Sequence, residues 1–511
     1  MGIEIQFLGA AGCVTGSQFM LTVGDRRVLI DCGMFQGSPE EVERNQMPFA
    51  FEVDQLDALL LTHAHLDHCG RTPALVKAGY RGPIHATRAT LDLAEIVLRD
   101  SAKLQVESAE RWNRRQARKA ERRVEAAVTE TATEATAAET QVDDDSLPER
   151  LRNAAPEGRT TTRQPLYDEK DVETTVGLGR GCDYGDEVAV TDGVKAVFHD
   201  AGHILGSAII ELRVADGSET RTIVFSGDLG RNDTPILRDP AAISHADHVI
   251  VESTYGNREH APHDKAIEDL VAAIGEIAGD EGVMLVPAFA IGRTQEMIWV
   301  LDELVRSGRI PRVPLYLDSP MASRATKVYH DHPETYDAET AALLRSGDSP
   351  LDYPGQEFTD SVEQSKAIRT AKRPFIVVAS SGMLTGGRIM HHLKDFLPDP
   401  KCTLLFIGYQ GEGTLGRHIQ NGATTARIDG EEIAVRCRVR SISGFSAHAD
   451  QHELEAWLRH FGAAGNGANG KPKRVFIVHG DPDAAEAFAT RIRDGLGMDA
   501  HVAKHREVVQ L

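Results

Sequence analysis

The segment Thr62-His63-Ala64-His65-Leu66-Asp67-His68 follows directly on an apolar run, Leu59–Leu61, of the length and texture of a buried strand. A strand end presents side chains at a cleft, where they can meet groups from elsewhere in the chain. Imidazole and carboxylate are the donors that a borderline-soft divalent metal takes. In His63-x-His65 the two imidazoles can reach one ion from the same side of a loop, and Asp67 and His68 then face a second. A lone histidine is ordinarily a packing or surface residue; three with an aspartate in six positions point to metal. Gly202-His203-Ile204-Leu205-Gly206-Ser207 and Phe225-Ser226-Gly227-Asp228 offer more donors after strand-like runs, although either alone could be a plain turn.

Working outward from that segment, short strands and glycine-marked turns fill the first part of the chain: Ile3–Phe7, Phe19–Val23, Arg27–Ile30 and Leu59–Thr62. Strands resume at Val194–Phe198, Ala208–Val214, Thr222–Phe225 and His248–Val251. Helix and strand then alternate: Ala266–Ala278, Val283–Val286, Thr294–Val305, Val313–Leu317, Phe375–Ala379 and Thr403–Ile407, the pattern of a parallel sheet. A strand (Ile433–Val439), a helix (Asp450–Phe461), a strand (Val475–Val478) and a terminal helix (Ala484–Leu496) close the chain. One α/β segment is thus inserted within another.

Between the two strand groups lies a helical stretch from about Arg88, basic over Arg111–Arg123, then a Thr/Ala/Glu-rich tract over about 126–163 ending in acidic residues and poor in large apolar ones. Such a tract cannot bury a core, and it is expected to be disordered or weakly helical. The basic stretch reads as a solvated helix face or as an RNA-contacting arm.

The 511 residues allow two to four domains. With 56 Lys and Arg against 77 Asp and Glu, the net charge of −21 argues against a protein that coats nucleic acid by bulk charge. A nucleic-acid enzyme with a local groove and metal ions stays open. Cys13, Cys32, Cys69, Cys182, Cys402 and Cys437 form no CxxC pair, so neither a zinc ribbon nor a disulfide framework is expected. The N-terminus lacks the pattern of a signal peptide, and no apolar run approaches about 18 residues, so a cytoplasmic chain with no membrane partner is expected.

His63-x-His65-x-Asp67-His68, then His203 and Asp228, resemble the metallo-β-lactamase fold, an αββα sandwich. Val251-Glu252-Ser253-Thr254-Tyr255-Gly256, Gly413-Thr414-Leu415-Gly416-Arg417-His418 and Phe445-Ser446-Ala447-His448-Ala449-Asp450 resemble motifs A, B and C of its β-CASP nucleases, in which a parallel α/β domain is inserted. The resemblance implies metallo-β-lactamase residues 1–256, carrying an insertion at about 112–165, a β-CASP domain over 257–412 and a return segment over 413–511. It implies two divalent ions, zinc first and manganese as the alternative. His63, His65 and His203 would hold one, Asp67, His68 and His448 the other, with Asp228 bridging. Glu252 and His418 resemble a proton-donating pair, His418 as the acid, and Asp67 is counted with the catalytic groups as well as the ligands. Asp31 and His479 are expected behind the ligands. Ser380-Ser381-Gly382 resembles a phosphate-contacting turn. His448 at motif C resembles the RNA-processing members, so the implied activity is endonucleolytic hydrolysis of RNA leaving 5′-phosphate and 3′-hydroxyl ends. RNA is the implied partner, with a homodimer as the assembly to test. A small-molecule ester or thioester hydrolase and a non-catalytic RNA-processing scaffold are the competing classes. Gly411-x-Gly413-x-x-Gly416 also satisfies a dinucleotide fingerprint. Its position directly before His418, without a βαβ unit of that type, favours a loop near substrate instead.

Overall fold

The computed structural model describes residues 2–137, 162–411, 413–462 and 471–511. Ile3–Phe7 alternates apolar and polar residues, and its burial alternates with them. That period sets one face of a seven-stranded sheet against a second, and the order of the first sheet is 508–510, 3–7, 19–23, 26–30, 58–60, 84–87, 179–182. The second runs 500–502, 474–478, 248–252, 219–225, 208–216, 194–200, 187–191. Phe7 and Phe19 of the first meet Phe476 and Phe225 of the second at ring separations of 5.4 and 6.0 Å. Ile5, Leu21, Ile30, Leu60, Ile210, Leu212 and Ile223 complete this fully buried interface. Each such side chain contributes about 1.5–3 kcal/mol by leaving water.

Helices cover both outer faces. Leu93 and Val97 from the helix Arg88–Ala137, with Leu75 and Val172, pack on the first sheet. Leu454, Leu458 and Phe488, from Gln451–Leu458 and Pro482–Arg491, pack on the second. The result is an αββα sandwich.

A third sheet of six parallel strands, in the order 356–358, 315–317, 375–379, 283–287, 403–406, 438–441, forms the inserted unit. Helix His263–Asp280 buries Ala266, Ile267, Leu270, Ala273, Ile274 and Ile277 against it, one stripe at helical spacing.

The structure adds detail at three places. The third sheet draws its last strand from Arg438–Ser441, beyond residue 412, so the return to the sandwich sheets comes with Arg474–Val478. The single strand expected over Ile433–Val439 is two: Glu431–Ala434 pairs with Thr425–Ile428 in a hairpin, and Arg438–Ser441 joins the sheet. The helix from Arg88 runs unbroken to Ala137 and takes in the start of the low-complexity tract; 138–161 lie outside the described residues. The chain rejoins this helix through Asn113, whose side-chain amide exchanges two hydrogen bonds with the Arg163 backbone. Among the described residues no helix is long and apolar enough to cross a membrane.

Candidate metal centre

Parallel strands of both sheets end at one edge of the sandwich, and each end delivers a polar side chain. Ile30 pairs with Leu60, so Asp31 lies beside Thr62 and the histidine segment. Phe225 pairs with Ile250 and Glu252 with Val478, so Asp228, Glu252 and His479 emerge together. Asp31 and His479 both adopt the left-handed backbone conformation, φ 58° and 49°, which turns the chain sharply out of its strand. Gly33 permits the closest approach: a Cβ there would lie 1.6 Å from the Asp67 carbonyl oxygen.

The nitrogen protons can be placed from the surrounding bonds. His63 Nδ1–H reaches Thr62 Oγ1 at 3.1 Å, and His203 Nδ1–H donates to the Ala447 carbonyl at 3.3 Å. Both Nε2 lone pairs therefore face inward, 3.1 and 3.2 Å from His65 Nδ1. Asp228 Oδ2 completes the group, 3.5 Å from His63 Nε2 and 3.7 Å from His203 Nε2. A second group repeats the logic. Asp31 accepts His68 Nδ1–H at 2.7 Å, and Thr254 Oγ1 lies 3.1 Å from His479 Nδ1. The two Nε2 atoms then face each other at 3.2 Å, with Asp67 Oδ2 3.6 Å from His479 Nε2. Asp228 Oδ1 sits 3.4 Å from His68 Nε2 and 3.5 Å from His479 Nδ1, so this aspartate touches both groups.

Imidazole nitrogens converging on one another and on a carboxylate at these distances suit a shared cation. Asp228 Oδ1 is buried with no hydrogen-bond partner, which says the same from the carboxylate side. Burial pushes the pKa of His65 down to about 4 and holds His63 and His203 well below the ordinary imidazole value, leaving neutral donors. Burial also opposes charge on His68, but Asp228 and Asp31 overcome it and raise its affinity for a proton. Burial likewise opposes charge on Asp228, and the imidazoles of His479, His68 and His63 outweigh it, holding the carboxyl well below its usual range. The donors fit divalent metal in three overlapping groups: His63, His65, His203 and Asp228; Asp67, His68 and His479; and Asp228, Glu252 and His479.

Beside the second group, Glu252 is fully buried and accepts the Leu229 N–H at 2.7 Å and His448 Nδ1–H at 3.1 Å. His448 lies 3.9 Å from Asp228 Oδ2. Burial disfavours its protonation, yet Glu252 and Asp228 raise its proton affinity above the ordinary value.

Family models match along the chain: the metallo-beta-lactamase superfamily over 11–122, the Beta-Casp domain over 294–419 and a Zn-dependent metallo-hydrolase RNA specificity domain over 432–503. Ribonuclease TTHA0252 of Thermus thermophilus is 39% identical over 93% of this chain and 92% of its own length. The chain belongs to the β-CASP branch of the metallo-β-lactamase superfamily. Transcription termination factor FttA of Methanosarcina mazei is 31% identical over 100% of this chain and 72% of its own. A solved protein of unknown function from Enterococcus faecalis shares the fold, with a TM-score of 0.51 at 12% identity and full coverage of both chains.

As a β-CASP protein the chain is a metal-dependent hydrolase with α/β architecture. Three of the expected site residues, His479, His448 and His418, have distinct surroundings. His479, expected behind the ligands, stands with Asp67 and His68. His448, expected as a ligand there, lies 3.9 Å from Asp228 Oδ2 and bonds Glu252 through Nδ1. His418, expected as the partner of Glu252, is exposed on the short helix Leu415–Gln420, and no described hydrogen bond joins it to Glu252. The signal for His479 was present, since it follows the strand Arg474–Val478 as Asp31 follows Arg26–Ile30.

The turn Ser380–Gly382 follows the strand Phe375–Ala379 of the β-CASP insert. Ser380 Oγ lies 3.2 Å from Ser319 Oγ, and Ser381 Oγ accepts the Thr385 N–H at 3.0 Å. The glycine-rich segment after Thr403–Phe406 supports this turn: Gln410 donates to the Gly382 carbonyl at 2.9 Å, and a Cβ on Gly416 would strike Gln410 Oε1 at 1.8 Å. Packing against the turn thus accounts for that glycine.

Proposed function

We infer that the chain is a ribonuclease that hydrolyses RNA phosphodiester bonds with two divalent ions, zinc first, acting endonucleolytically and leaving 5′-phosphate and 3′-hydroxyl ends. The observation that carries this reading is the pair of donor groups sharing Asp228, with a buried carboxylate–imidazole pair alongside. The named activity of the Thermus relative and the RNA specificity match over 432–503 support the substrate. His63, His65, His203 and one oxygen of Asp228 would hold one ion; Asp67, His68, His479 and the other oxygen would hold the second. Such ions, when bound, supply Lewis-acid stabilisation of phosphoryl charge and activation of the attacking water.

The chain's own residues do the rest. Asp31 fixes the tautomer and orientation of His68, as an outer carboxylate does for a metal-bound histidine. Glu252, held by the Leu229 amide, fixes His448 by Nδ1, so the imidazolium can give a proton to the departing 3′-oxygen. Ser380, Ser381 and Gly382 would meet a flanking phosphate with hydroxyls and backbone amides. The same reading divides the chain into a sandwich part through 256, the β-CASP insert from 257, and a return segment.

Metal analysis together with cleavage of an end-labelled single-stranded RNA tests this. About two ions per chain and internal products with 5′-phosphates are expected. One ion or none after reconstitution with zinc or manganese, or intact RNA beside hydrolysis of a thioester, would overturn it.

A further inference from the structure

Resting on the RNA reading above, we propose that Phe289 is a stacking platform for a nucleobase flanking the scissile phosphate. Phe289 stands just past the strand Val283–Pro287 of the third sheet and is 37% exposed. Among the described residues, every other exposed large apolar side chain is aliphatic. Its ring centre lies 6.2 Å from that of His65, inclined by 46°.

The ring is held from behind. Gly382 packs so closely that a Cβ there would come within 2.9 Å of Phe289 Cδ2. Thr294 Oγ1 donates to the Phe289 carbonyl at 2.8 Å, and the Ala288 N–H to that of Ala379 at 3.1 Å. Little freedom is left to lose on binding, which is how a rigid aromatic gains affinity.

Phe289 therefore connects the two places where phosphate would sit, touching the imidazole of His65 on one side and the turn at Gly382 on the other. A nucleotide engaged at the metal centre brings its base within reach of such a ring. Single-stranded RNA is read in this way, with unstacked bases laid on aromatic side chains. Because every base has a π-face, the contact favours unpaired nucleotides over paired ones without demanding one base. A protein partner would need a contiguous apolar patch, whereas the surroundings here are imidazole, hydroxyl and backbone.

The test uses the full-length, zinc-loaded chain and RNA oligonucleotides in which one abasic ribose is moved through the positions flanking the cleaved bond. Phe289→Ala is expected to raise KM about 5- to 150-fold with a smaller change in kcat and unchanged metal content. Phe289→Trp should restore binding. One abasic position should weaken the wild type by a similar factor, and on that substrate Phe289→Ala should cost nothing more. Equal losses for Phe289→Ala on every abasic substrate, or a fall in metal content, would overturn the proposal by showing that the ring only positions His65 or the turn. Wild-type cleavage with Phe289→Ala indifferent overturns stacking alone; wild type that neither binds nor cuts RNA overturns the ribonuclease reading as well.

Discussion

Two strand-end aspartates, Asp228 in the sandwich and Asp318 in the β-CASP insert, are both buried beside histidines, yet only one is left open. Asp318 accepts hydrogen bonds from Thr359, from Ser365 at 2.6 Å and from Arg388 and His392 at 2.7 Å each. Burial opposes its charge, and these donors, His392 foremost, hold it well below the usual carboxylate range. Its neighbours are donors, so the cluster is closed; Arg388 goes on to bond the Thr359 and Asp360 carbonyls and ties the start of helix Ile389–Phe396 to the segment after the strand Gln356–Phe358. Asp228 faces imidazole lone pairs and keeps an oxygen without a hydrogen-bond partner. Residue types alone do not separate a structural cluster from a metal centre. The count of protons available to share does.

The sharpest contrast replaces both aspartates. Asp228→Ala should lose metal from both groups and slow RNA cleavage by about 10³-fold or more, since charge stabilisation worth several kcal/mol goes with the ions. Asp318→Ala should cost about 3–5 kcal/mol in denaturant unfolding, because Arg388 and His392 lose their buried partner, while metal per folded chain stays unchanged. Metal loss in the Asp318 variant would break the comparison.

A second contrast separates ligation from proton transfer. His448→Ala should keep both ions yet cut about 10²–10⁴-fold more slowly. The deficit should shrink on RNA with a 3′-bridging sulfur at the cleaved bond, since a thiolate departs without a proton. Glu252→Gln should behave similarly, and the double variant should be far less than additive. His418→Ala should stay close to wild type on all substrates, given its exposed position.

The smallest effect concerns the seam between helix Arg88–Ala137 and the insert. His332 donates to Asp92 at 2.7 Å and to Glu334 at 2.8 Å. Burial opposes its protonation, but these carboxylates overcome that and raise its affinity above the ordinary 6.5. A raised folded value means stability that is fully present below about pH 6.5 and is lost as pH rises through the folded value. His332→Gln should therefore lower the unfolding midpoint slightly at pH 6 and by less at pH 9, within about 1 kcal/mol because Asp92 is exposed.

Much of this molecule is legible in one dimension. Ile3–Phe7, Phe19–Val23 and Phe375–Ala379 declare themselves by alternation or by short apolar runs, and the structure has strands with those bounds. Six consecutive positions place three histidines and an aspartate where two groups can form, because loop spacing is a local property. Which distant histidine joins Asp67 and His68 is not local. His448 stands in a motif and His479 directly follows a strand, and these local signals do not say which of the two reaches Asp67 and His68. The parallel register of Glu252 against Val478 sets His479 beside Ser253 and within reach of His68. The Ala449 N–H bonds the Leu229 carbonyl, which brings His448 to Glu252 instead. The sequence by itself determined the elements and the donor types, which depend on short-range periodicity and side-chain chemistry. The pairing of donors with one another was decided only in the tertiary structure, because strand register fixes distances between residues 196 and 411 positions apart.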